Sequence, residues 1–131
     1  MSTRCNIEIC DYPEGEELNS VLLYKHHDGY PDTEHGVKQL LKEVLEEYNP
    51  QNLDEFVDKL VGLCRCEITD GIHSDIEYYY RIYLSGKNIS LDIYTPRIRR
   101  EWIDQPVSDL FCYNPVFKNL LLQESIVLRG D

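Results

Sequence analysis

The sequence has few positive charges and no long apolar run. Its 131 residues include 13 Lys and Arg against 24 Asp and Glu, so the formal net charge is −11. A chain of this charge repels phosphate backbones, which excludes it as a direct binder of duplex nucleic acid. No stretch of about 18 consecutive apolar residues is present, and the first residues contain no apolar signal region. The sequence therefore predicts a cytoplasmic protein that does not enter a membrane.

The short motifs of common catalytic and metal sites are also missing. There is no G-x-S-x-G, P-loop or G-x-G-x-x-G sequence, and Cys64 and Cys66 lack the C-x-x-C spacing of a zinc-ligand pair. The five cysteines are an odd number without the wide loops of a disulfide scaffold, which favours reduced thiols. We expect no metal, no cofactor and no catalytic nucleophile.

The residues that are present predict one domain over residues 1–131. The chain is 42% hydrophobic and 11% aromatic, which suffices for a core at this length. Alternating apolar and polar residues predict two hairpins. The predicted strands are residues 5–10 and 20–27 for the first hairpin, 78–84 and 89–94 for the second, a short strand at 66–69 and an edge strand at 125–128. Short helical pieces are predicted at 101–103 and 116–122.

Two helices are predicted between the hairpins. Apolar residues recur at helical spacing over residues 37–48 and again over 53–64. Asp32 or Thr33 is expected to cap the first helix, and Asn52 with Glu55 resembles a capping box for the second. The element order predicts an α+β fold, in which an antiparallel helix pair packs on one face of a mainly antiparallel sheet of two hairpins.

The other face of the sheet is predicted to be polar and aromatic. There, Tyr79 and Arg81 would offer a stacking surface with a positive head for a nucleobase and phosphate, and cross-strand packing is the alternative. The basic cluster at residues 97–100 suits a phosphate, a carboxylate or ordinary surface ion pairs.

The most distinctive segment is His26-His27-Asp28-Gly29-Tyr30-Pro31. A carboxylate beside an imidazole fixes its tautomer, which suits acid–base chemistry or ligand binding, although the same composition also builds a structural turn. Antiparallel pairing of the first two strands would bring the start of the first strand close to this segment. The candidate ligand-binding residues are therefore Arg4, Asn6, His26, His27, Asp28, Tyr30, Tyr79 and Arg81.

Two segments carry a resemblance to a known family. Thr3-Arg4-Cys5-Asn6-Ile7, followed by the segment at residues 26–31, resembles small uncharacterised bacterial and phage proteins that open with T-R-x-N-I and continue with H-x-D-G-Y-P. The resemblance covers the first half of the chain, and the chain departs from the family's usual residues at Cys5 and His27. It implies a small intracellular protein of phage or mobile-element type, a setting in which counter-defence roles are frequent.

Three functions are compatible with these features. The first is a non-catalytic protein that sequesters a small polar or nucleotide-derived ligand. The second, motivated by the net charge, is an acidic inhibitor that blocks a basic, nucleic-acid-binding site on a host protein. The third is a hydrolase that uses His26 or His27 with Asp28 as an acid–base pair on a phosphodiester or glycosidic bond. A homo-oligomer is compatible with each of them.

Overall fold

The six strands form one sheet with two helices between its second and third strands in sequence. The computed structural model describes residues 3–11, 19–32, 35–64, 66–71, 76–85, 88–96 and 120–130. The strand order in the sheet is β3-β2-β1-β4-β5-β6. The α+β class and the mostly antiparallel sheet are confirmed. The elements are β1 (Cys5–Asp11), β2 (Asn19–Lys25), α1 (Val37–Glu47), α2 (Leu53–Cys64), β3 (Cys66–Thr69), β4 (Tyr78–Ser85), β5 (Asn88–Pro96) and β6 (Leu120–Arg129).

The centre of the sheet contains a parallel strand pair that the sequence did not predict. β1 is antiparallel to β2, with Cys5 opposite Lys25, and parallel to β4, with Cys5 opposite Tyr78. All other neighbouring strands are antiparallel. Because β1 has a neighbour on each side, its backbone hydrogen-bonding groups are used in two ladders, and Ile7 and Asn6, on opposite faces, are both fully buried.

One face of the sheet, here called the core face, belongs to the main hydrophobic cluster. Ile7, Leu23 and Leu91 from three strands cluster there with Leu41 of α1 and Phe56 of α2, and all five are fully buried. The apolar stripes predicted for the helices thus supply core side chains, because helical periodicity places these residues on the one buried side of each helix. The opposite side of the sheet, here called the polar face, contains Asn6, Glu8, Cys10, Tyr79, Arg81, Tyr83 and Asp92.

The two helices begin differently from each other. Gly36 is the N-cap of α1 and provides no side-chain cap, so the prediction that Asp32 caps this helix is wrong, and the alternative, Thr33, lies outside the described residues. Asp32 instead accepts a hydrogen bond from Lys38 Nζ at 2.6 Å. In α2 the Glu55 backbone N–H donates to Asn52 Oδ1 at 2.9 Å, which confirms the cap predicted there.

The last strand is longer than predicted. Residues 120–122, expected at the end of a helix, lie in β6, because Leu120 and Leu121 pair with Pro96 and Thr95 of β5 and take an extended backbone. The predicted strand at 125–128 falls inside β6. The helical piece at 101–103, residues 116–119 and the basic cluster at 97–100 lie outside the described residues. None of the described helices has the length and apolar character needed to cross a membrane.

A glycine in α2 offers a simple stability prediction. A Cβ atom added at Gly62 meets no atom within 4 Å, and the residue is exposed near the end of the helix. Because alanine loses less backbone entropy than glycine in a helix, Gly62→Ala is expected to raise the free energy of unfolding by about 0.5–1 kcal/mol. Urea unfolding measures this change, and an unchanged or lower midpoint contradicts it.

Candidate functional site

Two segments that are distant in sequence, residues 3–7 and residues 26–31, meet at the start of β1. The Gly29 backbone N–H donates to the Thr3 carbonyl at 3.0 Å, just beyond the last ladder pair of β1 and β2. The Gly29 carbonyl in turn accepts a hydrogen bond from the Tyr80 hydroxyl at 2.6 Å. These bonds fix the turn after β2 against β1 and β4, at a position here called the corner, formed by Arg4 and residues 26–30.

Gly29 is packed so closely at the corner that a side chain does not fit. A Cβ atom there would lie 2.9 Å from the Thr3 carbonyl oxygen and 3.1 Å from both Arg4 C and Cys5 Cβ. Two of these three neighbours are backbone atoms of an extended segment, which do not move aside cheaply. The glycine of the motif is therefore explained by a close approach of two chain segments.

Five of the eight candidate residues surround this contact and are exposed. They are Arg4, His26, His27, Asp28 and Tyr30. Their placement follows from the backbone, because β2 ends at Lys25 and the chain then bends. Asp28 has φ of 55°, in the left-handed region, which aspartate tolerates better than most residues that carry a Cβ.

The aromatic part of the corner is provided by Tyr30. Its side chain is 41% exposed, and its ring centre lies 6.3 Å from that of Tyr78 in an edge-to-face arrangement. Tyr78 is in turn stacked beside Tyr80 at 6.2 Å. The three rings place Tyr30 at the exposed end of an aromatic row whose other end is fixed by the Tyr80–Gly29 hydrogen bond.

The carboxylate partner of His26 comes from β3. His26 Nε2 lies 2.9 Å from Glu67 Oε1, and the imidazole edge rests on the Tyr24 ring with centroids 4.5 Å apart. The sequence pointed to Asp28 as the carboxylate beside an imidazole, whereas the carboxylate found against His26 is Glu67. Both side chains are about half exposed, so the pair contributes less than about 1 kcal/mol to stability. Its larger effect is to orient the imidazole ring.

The remaining three candidate residues lie on the polar face, away from solvent. Asn6 is fully buried and its Nδ2 donates to the Leu23 carbonyl at 3.0 Å. Tyr79 is only 2% exposed, and its hydroxyl donates to Glu8 Oε1 at 2.8 Å. The expectation that Tyr79 forms an exposed stacking surface is wrong, because the ring packs edge-to-face on Tyr94 with centroids 6.1 Å apart.

Arg81 is bound within the polar face. Its Nε lies 3.0 Å from Glu8 Oε1 and donates to Cys10 Sγ at 3.3 Å, and the guanidinium lies 5.2 Å from the centre of the Tyr83 ring. The side chains of Arg81 and Glu8 are 20% and 18% exposed. Because the carboxylate already balances the guanidinium charge, these contacts favour the cross-strand packing alternative for this face.

Two residues that contribute to the corner were not identified from the sequence. Glu67 approaches His26 because β3 pairs with β2, with Glu67 opposite Tyr24. Tyr78 approaches Tyr30 because β4 runs beside β1. The alternating pattern that begins at Tyr78 predicted a half-buried strand. That pattern does not indicate which strand lies next to it.

Buried acids beside the corner give a pH prediction. Burial raises the pKa of the Cys5 thiol from 9.0 to about 12, with nearby Lys25 acting in the opposite direction. Burial also raises the pKa values of Tyr79 and Tyr80. Above pH 9 the unfolded chain releases the Cys5 proton while the folded chain keeps it, so the folded state binds more protons. The free energy of unfolding is therefore expected to fall as the pH rises, by up to about 1.4 kcal/mol per pH unit from this thiol.

Urea unfolding between about pH 7 and about pH 11 tests this dependence. Cys5→Ala removes the titrating group, so its stability should fall less steeply with pH than that of the wild type, whatever its stability at pH 7. Equal slopes in the two proteins above pH 9 contradict the assignment to Cys5.

The corner thus carries an exposed guanidinium, two imidazoles, a carboxylate and a phenol, but not all on one face of the sheet. The His26 ring rests on Tyr24, which lies on the polar face, whereas the Tyr30 ring packs on Tyr78, which lies on the core face. Such a set can donate and accept hydrogen bonds and stack on a planar group. In the parts of the chain that the structure describes, no group of three or more His, Cys, Asp or Glu side chains is placed to hold a metal ion. Comparisons with protein-family models, curated proteins and solved structures gave no significant match.

Proposed function

We propose that this protein binds a small polar, nucleotide-derived ligand at the corner and does not turn it over. The observation that supports this most directly is the hydrogen bond from Gly29 to Thr3, which draws the start of β1 and the turn after β2 together. Both segments are held by backbone contacts, so their exposed side chains are presented on a rigid support. Preorganised groups lose less conformational entropy when a ligand binds.

The side chains match the parts of a nucleotide. The exposed ring of Tyr30 suits a nucleobase, because its edge-to-face contact with Tyr78 holds it in place. Arg4 and His27 suit a phosphate, since a guanidinium and an imidazole both donate hydrogen bonds to anionic oxygens. Asp28 suits the hydroxyl or amino groups of the same ligand. In a phage or mobile-element setting, we propose that the protein acts in the cytoplasm and sequesters a host signalling nucleotide as a counter-defence.

The proposal extends to the arrangement of the helices. We propose that α1 and α2 form an antiparallel pair packed on the core face, which leaves the corner at the sheet end free for the ligand. The presence of Leu41 and Phe56 in the same buried cluster as Ile7 supports this arrangement.

Thermal unfolding with a panel of linear and cyclic nucleotides tests the proposed function. A ligand present at 100 times its Kd is expected to stabilise the protein by about 2.7 kcal/mol, which raises Tm by several degrees. Arg4→Ala and Tyr30→Ala should remove the shift, whereas Lys42→Ala, which removes an exposed cation on α1, should keep it. If no nucleotide in the panel raises Tm at millimolar concentration, the proposal is rejected.

A second candidate function is favoured by the pair of His26 and Glu67. A carboxylate that orients an imidazole is a common arrangement for general acid–base catalysis, which suits hydrolysis of a phosphodiester. Incubation with labelled dinucleotides distinguishes the two candidates. Product formation that is lost in both His26→Ala and Glu67→Gln would support the hydrolase, whereas binding without product supports sequestration.

A further inference from the structure

The strand at one edge of the sheet has features of a protein-binding surface. In the part of the chain that the structure describes, β6 has β5 as its single strand neighbour. An edge strand leaves backbone N–H and C=O groups unpaired on its outer side, and natural edges are usually protected by lysine, proline, short length, β-bulges or inward-pointing charges, of which β6 has the last two. β6 is ten residues long and contains neither lysine nor proline. Its Leu122 and Val127 are 54% and 71% exposed.

The irregularities of β6 are arranged symmetrically about Ile126. Pairing with β5 shifts twice, because Gln123 and Leu128 have no partner in register. At each shift two consecutive residues lie on the core face, namely residues 123–124 and residues 128–129, and these two pairs are equally far in sequence from Ile126. Their contacts are Gln123 with Thr95, Glu124 with Lys38, Leu128 with the main cluster, and Arg129 with Asn49.

We propose that β6 pairs antiparallel with β6 of a second copy of this chain, around a two-fold axis at Ile126. Such an axis sets residues at equal distances from Ile126 opposite each other, and opposed residues must point to the same face of the extended sheet. This condition is met through both irregularities, because residues 123–124 meet residues 129–128 of the second copy. An axis moved by one residue, to Ser125 or Val127, would oppose residues from different faces.

Charge also favours a second copy at this edge. β6 contains one acidic residue, Glu124, and one basic residue, Arg129, whereas the whole chain has a net charge of −11. In the proposed pairing, Glu124 lies within one residue of Arg129 of the second copy, and the same contact recurs across the axis. The remaining acidic surfaces repel one another, so salt that screens this repulsion should strengthen the dimer.

Substitutions of Val127 can test this interface. Val127 lies opposite Ser125 of the second copy, and the two Val127 side chains become diagonal neighbours on the polar face, within reach of each other. Because Val127 is 71% exposed in the single chain, its replacement should leave the fold of the monomer intact. Equal charges at this position would repel across the axis, and opposite charges would attract.

Analytical ultracentrifugation of the full chain between about 1 and about 500 µM, at low and high salt, tests the proposal. The wild type is expected to dimerise, more tightly at high salt. Val127→Lys and Val127→Glu should each weaken dimerisation at least about tenfold, and an equimolar mixture of the two should restore it. Ile68→Lys places the same charge at a 66% exposed position on β3, the opposite edge, and should leave the dimer unchanged. A wild type that stays monomeric, a mixture that fails to associate, or a dimer lost only in Ile68→Lys overturns the proposal.

Discussion

Gly29→Ala is expected to lower the free energy of unfolding by about 2–3 kcal/mol, because its Cβ would overlap the backbone of β1. The new atom would lie 2.9 Å from the Thr3 carbonyl oxygen, which is the acceptor of the Gly29 hydrogen bond. Relief of this overlap requires the turn to move away from β1, which also lengthens the hydrogen bond from Tyr80 to the Gly29 carbonyl. Urea unfolding monitored by circular dichroism measures the change.

The matched control is Gly62→Ala, the same substitution at a position with open space around the Cβ. The two variants should move the unfolding midpoint in opposite directions. Because the corner would be displaced, Gly29→Ala should also abolish the nucleotide-induced rise in Tm at temperatures where it is still folded. An unfolding midpoint equal to that of the wild type would show that the turn is not held against β1 as described.

Arg81→Ala should destabilise the protein by about 2–3 kcal/mol. The substitution leaves the Glu8 carboxylate, which is 18% exposed, without its guanidinium partner. An unpaired charge costs about 3–5 kcal/mol when it is fully buried. Because Glu8 keeps some exposure to solvent, the cost is smaller here. The Tyr79 hydroxyl still donates to Glu8, but one neutral donor does not replace the positive charge. The free energy of unfolding in urea at pH 7 provides the measurement.

A double variant separates the charge effect from lost packing. Glu8→Gln combined with Arg81→Ala removes the unpaired carboxylate and keeps an acceptor for Tyr79, so it should recover a large part of the stability lost in Arg81→Ala. Lys42→Ala, which removes an exposed cation on α1, should change stability by less than about 0.5 kcal/mol. If the double variant is as unstable as Arg81→Ala, the loss comes from packing on Tyr83 rather than from the charge.

Much of the local structure was predictable because it depends on short-range periodicity. The helix from Leu53 to Cys64 and the strand from Cys66 to Thr69 have the predicted bounds, and the Asn52 cap was visible as a spacing of three residues. In each case the residues that determine the local structure are close together in the sequence. The apolar stripe of α1 from Val37 was also predicted, but the helix begins later than the cap expected at Asp32 or Thr33 implied, because its N-cap is Gly36.

What the sequence could not reveal was which distant strands become neighbours. Tyr79 alternates in β4 as an outward residue would, yet pairing with β1 and β5 places it between Asn6 and Tyr94 and buries it. Glu67 could not be identified for the same reason, because its contact with His26 depends on the pairing of β3 with β2. Strand neighbours are chosen by the global packing of the sheet, and single-strand alternation contains no information about them.

The parallel contact of β1 with β4 has a consequence for synthesis of the chain. The bond between Glu8 and Tyr79 joins residues 71 positions apart, so β1 leaves the ribosome long before its second neighbour exists. Until β4 arrives, the nascent sheet has an unprotected hydrogen-bonding edge along its most buried strand, and closing so long a loop is slow. Chains that stall before Tyr78 should therefore be the aggregation-prone species during expression.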